Sequence, residues 1–486
     1  MSAPIPPCDP ANVQGDILVG LPKKAQQYII FQIDDNVTAF RKALNKLIPL
    51  ITTTTQVQQD RTKIANNKKA AQEQGKAPGL IKLSGVNVAF SQAGLTKLGI
   101  TDDLLDPAFK EGQLADSQNL GDPGATKDGK FVPNWLPAFL KGNIHGVILI
   151  SGDCNATIVE TRLVVERIFS VGAHNATLHE VTTLIGKVRP DKEEGHEHFG
   201  FLDGISQPAI KGIDTNPNPG QETVDQGVIL LGRNNDPNAT TRPSWAVDGS
   251  FLALRYLFQL VPEFNNFLKG NALTGNGLTA DQGSELLGAR LMGRWKSGAP
   301  IDLAPTQDDP ALGADASRNN NFRYDFPDDQ TTTIRCPFAA HTRKTNPRAD
   351  LEGTPNTGNT ASRRIIRRGV QFGDEVTPQE AASGKTALDR GLIFAAYQST
   401  IPNGFQFIQK SWANNIAFPP NKPFTPGFDP IIGQTNDDSV RTLAGTDPNN
   451  QTAELSLPTD WVLPKGGEYF FSPSIPALRT KFALAA

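Results

Sequence analysis

Short apolar runs, each too short to cross a membrane, recur along the whole chain with helical stretches between them, and this alternation restricts the fold more than any other feature. Tyr28 to Ile33 (YIIFQI), Gly146 to Asp153 (GVILISGD), Ser250 to Val261 (SFLALRYLFQLV) and Gly391 to Gln398 (GLIFAAYQ) read as buried strands. EVTTLIGKV, near 180–187, reads as another, and GVILLG (227–232) is strand-like. Thr38 to Leu50 and residues 156–168 carry apolar side chains at helical spacing. In KLSGVNVAFSQAGLTKLGI (82–100) an alternating strand runs into a helix capped by Ser91 and stopped by Gly99. Beyond Ser250 the strand-then-helix order returns, with PEFNNFLKGNAL and residues 279–297 as helices. Thr52 to Pro78 is polar and reads as a helix extension or a loop, and Thr101 to Asn143 as irregular chain. The order is neither strict βαβ nor all-β, which favours two α+β domains of similar topology. The boundary is placed where Asn, Pro, Gly and Asp accumulate, from Gly212 to Ser250, giving domains 1–211 and 212–486.

Composition narrows the function classes. With 47 basic against 50 acidic residues there is no general basic face, so no nucleic-acid partner is expected. No membrane span is expected either. Three cysteines (Cys8, Cys154, Cys336) form neither a disulfide framework nor a CxxC zinc pair. The N-terminal MSAPIPPCDPANVQGDILVG lacks the basic-then-apolar pattern of a secretory signal. Five N-glycosylation sequons, at Asn36, Asn155, Asn175, Asn238 and Asn450, suit a secreted protein whose signal has been removed. Oxidisable side chains are scarce: 26 Phe stand against 5 Tyr, 5 Trp, 3 Cys and 2 Met, a balance that suits a chain exposed to oxidants.

Two segments collect the residues capable of chemistry. In GHEHFGFLDGISQPAI (195–210), Gly200, Gly204 and Pro208 bracket Asp203 in a backbone that must turn sharply. Asp203 there is either a turn-forming residue or an acid held out into a pocket. His196 and His198, at i and i+2, would share one face of a strand and could hold a metal; beside Glu193, Glu194 and Glu197 a solvated loop is the expectation. The second segment, IRCPFAAHTRKTNPRADLEG (334–353), surrounds His341 with small residues. Five basic residues, Arg335, Arg343, Lys344, Arg348 and Arg363, lie close to it in sequence. Small neighbours let a flat macrocycle approach an imidazole, and nearby cations suit haem propionates.

These segments resemble those of one family. FGFLDGISQP is similar to the GxxDG signature of dye-decolourising peroxidases, HTRKTNPR to their proximal-histidine segment and IIRRGVQFG to their distal-arginine strand. NVQGDILVGLPKK, GVNVAFSQAGLTKLG, SWAVDGSFLALRYL, ARLMGRWKSGAPI and GLIFAAYQ also resemble family segments in the expected order, over nearly the whole chain and closest to the large fungal members. The resemblance implies two ferredoxin-like α+β domains, antiparallel sheets packed together, with haem b in the C-terminal one and an extracellular location. It implies His341 as the haem-iron ligand, Asp203 as distal acid–base residue and Arg367 as distal arginine. Strand alternation puts Arg368 on the opposite face from Arg367, so only one of the pair can line a pocket. Arg348 resembles the residue pairing with a propionate, Gly204 lets the backbone approach the cofactor, and Leu392 and Phe394 would wall the distal side.

The implied reaction is reduction of hydrogen peroxide with oxidation of dyes, phenols and other aromatic donors. Asp203 would move the peroxide proton from the inner to the outer oxygen, Arg367 would stabilise the charge as the O–O bond breaks, and a ferryl haem would result. Activity is then expected to be greatest in mildly acidic solution. Trp412, in GFQFIQKSWANN, corresponds to a surface tryptophan that fungal relatives use as an electron relay. Some relatives also oxidise Mn(II) at surface carboxylates; Asp350 and Glu352 occupy the corresponding stretch, but Asn356, Asn359 and Ala361 follow where more acids would be wanted. The alternative from another class is a non-catalytic haem-binding or haem-transfer protein, for which an ionisable Asp203 and an Arg367 would have no use. A hydrolase finds no GxSxG motif.

Overall fold

The computed structural model describes residues 5–275, 277–352, 360–437 and 439–484. The first half runs β1 (Ala25–Ile33), helix α1 (Val37–Leu47), helix α2 (Thr54–Glu73), β2 (Ser84–Phe90), β3 (Gly146–Gly152), helix α3 (Asn155–Phe169) and β4 (Leu178–Lys187). The second runs β5 (Ser250–Gln259), helices α4 (Val261–Gly270) and α5 (Ala280–Met292), β6 (Ile366–Arg367), β7 (Val370–Phe372), β8 (Gly391–Gln398) and β9 (Val462–Ser472). Pairing is antiparallel throughout, in the order β6-β8-β5-β9-β2-β3-β1-β4, with β7 also on β8. Each half is therefore a ferredoxin-like unit, its first strand lying between its third and fourth. The two sheets join edge to edge where β2 meets β9 at Phe90 and Phe471. At the far edges β4 lies against β7, Gly186 facing Val370, so the combined sheet curls into a barrel.

Strand alternation sorts the core into two layers. Odd-numbered residues of β1, among them Ile29, Phe31 and Ile33, pack with Phe40 and Leu44 of α1 and with Val165 and Phe169 of α3. Even-numbered Tyr28 and Ile30 point inward and meet Leu252, Leu254, Ile393, Ala395 and Phe470 of the second half. The helices form for local reasons. α1 places Phe40, Ala43, Leu44 and Leu47 on one buried stripe behind an Asn36 cap. α2, the polar stretch after Thr52, is a helix because Thr53 and Gln56 make a reciprocal capping box; it buries only Thr54 and Val57.

Two sequence expectations are corrected. GVILLG is not a strand: Gln226–Val228 is a 3-10 turn, Gly227 N–H bonds Asn234, and Gly232 has φ +70°, so Ile229, Leu230 and Leu231 plug the core from a turn. α5 stops at Met292, not 297, because Gly293 adopts φ +90° against Thr342, where a Cβ would collide. Just before residue 212, Ala209–Ile210 pairs in parallel with Thr223–Val224, so the chain is zipped onto itself on either side of the expected boundary.

Candidate active site

A cavity opens between α5, α6 (His341–Thr345), β5, β6, β8 and the loop 197–206. Most of its wall comes from the second half, and the loop reaches in from the first. Asp203, Gly204, His341, Arg348, Arg367, Leu392, Phe394 and Trp412 all line it.

The loop is shaped from within. Gly200 and Gly204 have φ +95° and +83°, conformations that a side chain would strain. The Glu197 carboxylate accepts from Phe199 N–H (2.8 Å), Phe201 N–H (2.9 Å) and Gln259 Nε2 (2.6 Å), stapling the turn from inside. Asp203 resolves into both of its readings at once. Its Oδ1 accepts from Gly204 N–H (2.6 Å), as a turn residue does, and from Arg367 (2.6 Å), as an acid in a pocket does. Burial pushes the Asp203 carboxyl up, but the Arg367 charge and hydrogen bond outweigh it and hold the group below the usual aspartate range. Gln207 of the ISQP run then pins Arg367 like a strand neighbour, giving Nε2 to its carbonyl (3.0 Å) and accepting its N–H (3.1 Å). Alternation decides the arginine doublet as expected, for Arg368 turns away to the Asp16 and Leu18 carbonyls.

His341 opens α6, and its Nδ1 lies 2.9 Å from Asp429 Oδ2. Asp429 is wholly buried, and its other oxygen accepts from the Ile431 and Ile432 amides. Burial pushes that carboxyl up, while His341 and the two amides more than compensate and leave it low. An ionised Asp429 fixes the proton on Nδ1 and leaves the Nε2 lone pair for the cavity. Asp429, Glu197 and Gln207 had no distinguishing mark in the sequence beyond the proximity of the last two to Asp203.

Only two of the five cations near His341 reach the cavity. Arg348 stacks on Phe322 (4.0 Å) and donates to the Asn320 and Phe322 carbonyls, and Arg363 stacks on Phe407 (3.7 Å). Arg343 is consumed by Asp350 in a buried pair, Lys344 by the Trp412 and Asn415 carbonyls, and Arg335 by the Asp302 carbonyl and the face of Phe326. Arg294 and Arg364, which sequence reading passed over, join the lining instead.

Three further expectations change. Trp412 is no surface residue: it is 3% exposed, stacks on Phe418 (5.2 Å, 11°) and meets Phe407 edge-on. Its place on the π-helical turn Ile408–Ala413 aims it at the cavity. His196 and His198 form neither a metal pair nor a solvated loop. His198 is buried with Nε2 on the Phe372 carbonyl (2.8 Å), and burial, aided by Arg189, lowers it to about 4. Asp350 is buried between Arg343 and Lys422, and Glu352 pairs with Arg323, so neither is a free ligand for Mn(II); Asn356 and Asn359 lie outside the described residues.

The closed α+β barrel and its cavity have known counterparts. Residues 12–190 match the family model of the DyP dimeric alpha+beta barrel domain, and residues 288–417 that of the C-terminal part of Dyp-type peroxidases. The chain belongs to the dye-decolorizing peroxidase family. Within it the similarity is to fungal members: it is 46% identical to a dye-decolorizing peroxidase of Auricularia auricula-judae, over 96% of this chain and 86% of that one. The enzyme of Exidia glandulosa is 44% identical over 97% and 87%. A solved ancestral D-type dye decolorizing peroxidase shares 60% identity at a TM-score of 0.92, covering 99% of this chain and 100% of its own.

Proposed function

We propose that the protein is a haem b peroxidase that reduces hydrogen peroxide and oxidises dyes, phenols and other aromatic donors outside the cell. The carrying observation is that one cavity brings together an acid–arginine pair, Asp203 and Arg367, and a histidine whose outer nitrogen is free while its inner one is held by Asp429. The residues present fit a haem. Arg363 Nε is buried without a hydrogen-bond partner, as a donor meant for an anionic group would be, Arg364 beside it has only Glu222 at 3.4 Å from its Nε, and Leu257, Leu392, Phe394, Ile408, Ile431 and Ile432 supply apolar walls. His341 would hold the iron, and Arg348, Arg363 and Arg364 the propionates. When bound, the haem supplies the iron that accepts peroxide and keeps its two oxidising equivalents.

The protein's own part is proton and charge handling. Asp203, ionised, takes a proton from the incoming peroxide and returns it to the departing oxygen. Arg367 stays charged and stabilises the negative charge that develops there. A non-catalytic haem carrier would gain nothing from this pair. Trp412, between the cavity and the Phe418 stack, is the relay for donors too large to enter. For smaller donors, a relative 46% identical, TM-score 0.85, has been solved in complex with 2,6-dimethoxyphenol. An extracellular location is supported by the sequon asparagines, of which Asn36, Asn155, Asn175 and Asn450 are exposed. Titration with haem b should give one Soret-absorbing haem per chain, weakened in His341→Ala, and one equivalent of peroxide should shift that band within milliseconds to seconds. A band that ignores peroxide would sink the peroxidase reading.

A further inference from the structure

We infer that Tyr469 and Asp116 form a buried proton-coupled redox site, one aromatic ring behind the cavity wall, that reversibly stores an oxidising equivalent. Three observations carry this. Phe394 and Phe405 both line the cavity and lie 5.8 Å apart, and Phe405 is 6.2 Å from the ring of Tyr469 on β9. Tyr469 O–H donates to Asp116 Oδ2 at 2.7 Å, within reach for direct proton transfer. Both side chains are buried, and Asp116 is held in place by Gln406 Nε2 and Asn119 Nδ2.

Losing an electron makes a phenol strongly acidic, so a buried tyrosine is oxidised readily only where a base receives its proton; otherwise a cation is stranded in a low-dielectric interior. The other tyrosines fail this test or lack a route. Tyr324 lines the cavity, but among the described residues its hydroxyl meets only Thr342 Oγ1 (3.5 Å), which is no base. Tyr28 donates to an amide oxygen of Gln26, a poor base. Tyr397 has a carboxylate partner, Asp16 (3.1 Å), but sits in the barrel interior, where no ring contact among the described residues links it to the cavity wall as Phe405 links Tyr469. Tyr256 packs on Phe258 and Phe372, away from the cavity lining.

The step balances within the site. One electron leaves Tyr469 by way of Phe405 for the oxidised group in the cavity, which is reduced by one equivalent. The phenolic O–H breaks, its proton forms an O–H bond on Asp116 Oδ2, and Tyr469 becomes a neutral phenoxyl radical. When a donor later refills the hole, the proton returns. The pair lies behind the cavity wall and not in it, so it stores the equivalent, and passage to a dye stays with Trp412 in the lining.

The inference rests on the haem reading above, so its test records both. The haem-loaded protein is mixed with one equivalent of hydrogen peroxide without donor, frozen, and examined by electron paramagnetic resonance, with the Soret band recorded in parallel. Wild type should show a tyrosyl signal that narrows when the protein contains ring-deuterated tyrosine. Tyr469→Phe should lose that signal, and its Soret band should bleach faster in excess peroxide. Asp116→Asn, which keeps a hydrogen-bond partner but removes the base, should show the same loss, guarding against a packing effect of the first variant. A tyrosyl signal undiminished in Tyr469→Phe, or no tyrosyl signal in wild type although the Soret band shifts, overturns the inference. A Soret band that peroxide leaves unchanged overturns the haem reading itself, and this site with it.

Discussion

Asp203 is under two opposed influences, burial that favours its neutral form and Arg367 that favours its anion, and the anion wins. A base whose folded value is lowered stays ionised, and competent, further into acid. The acid limb of the pH–activity profile is therefore expected below the ordinary aspartate value of roughly 3.9, and Arg367→Leu should move it upward. Asp203→Asn should cost roughly 10²–10⁴-fold in the rate of peroxide reduction, measured by stopped-flow at the Soret band, because the proton carrier is gone while the arginine remains. Trp412→Ser should leave turnover of small phenols near wild type and collapse oxidation of bulky dyes; equal losses for both would mean that the ring only supports the cavity wall. At this scale much was legible. The alternation rule separates Arg367 from Arg368 without a structure, whereas the burial of Trp412 depends on Phe407 and Phe418, which no local pattern ties to it.

Between residue and fold, the loop 197–206 shows what a short element needs in order to hold an acid still. Its two left-handed glycines set the turn, Glu197 satisfies the Phe199 and Phe201 amides from inside, and Gln207 fastens the next strand to it. Glu197→Ala would remove the acceptor of three donors, the Phe199 and Phe201 amides and Gln259 Nε2, and about 1–3 kcal/mol of stability should be lost for each that stays unpaired, read as a lower denaturant midpoint together with weaker peroxide reactivity. The glycines announce themselves in sequence because only a turn needs them there. The staple does not, since a glutamate among other acids looks like a solvated one until the chain folds over it. GVILLG erred in the other direction: an apolar run says that a segment is buried, not that its backbone is extended.

For the molecule as a whole, the decisive event is closure. The seam between β4 and β7 permits it because Gly186 has no side chain; a Cβ there would sit 2.2 Å from Val370 Cγ1. Gly186→Val should cost about 1–3 kcal/mol through overpacking, measured by chemical denaturation, and Val370→Ala in the same chain should recover part of it. If Gly186→Val were neutral, the seam would not be a tight contact. Closure also carries the N-terminal loop with Asp203 to the cavity of the C-terminal half.

The sequence by itself determined most of the elements, their repetition in two α+β halves, the glycine-bounded turn around Asp203, and the placing of Arg367 and Arg368 on opposite faces, because these depend on periodicity and backbone conformation over a few residues. The tertiary structure alone decided what those residues meet. Asp429 under His341, Glu197 inside the loop, the diversion of Arg343 and Lys344 from the cavity, the burial of Trp412 and the pairing of Tyr469 with Asp116 all join positions far apart in the chain. Such contacts are made by the packing of one half on the other, and burial and charge pairing act through that packing and leave no local pattern.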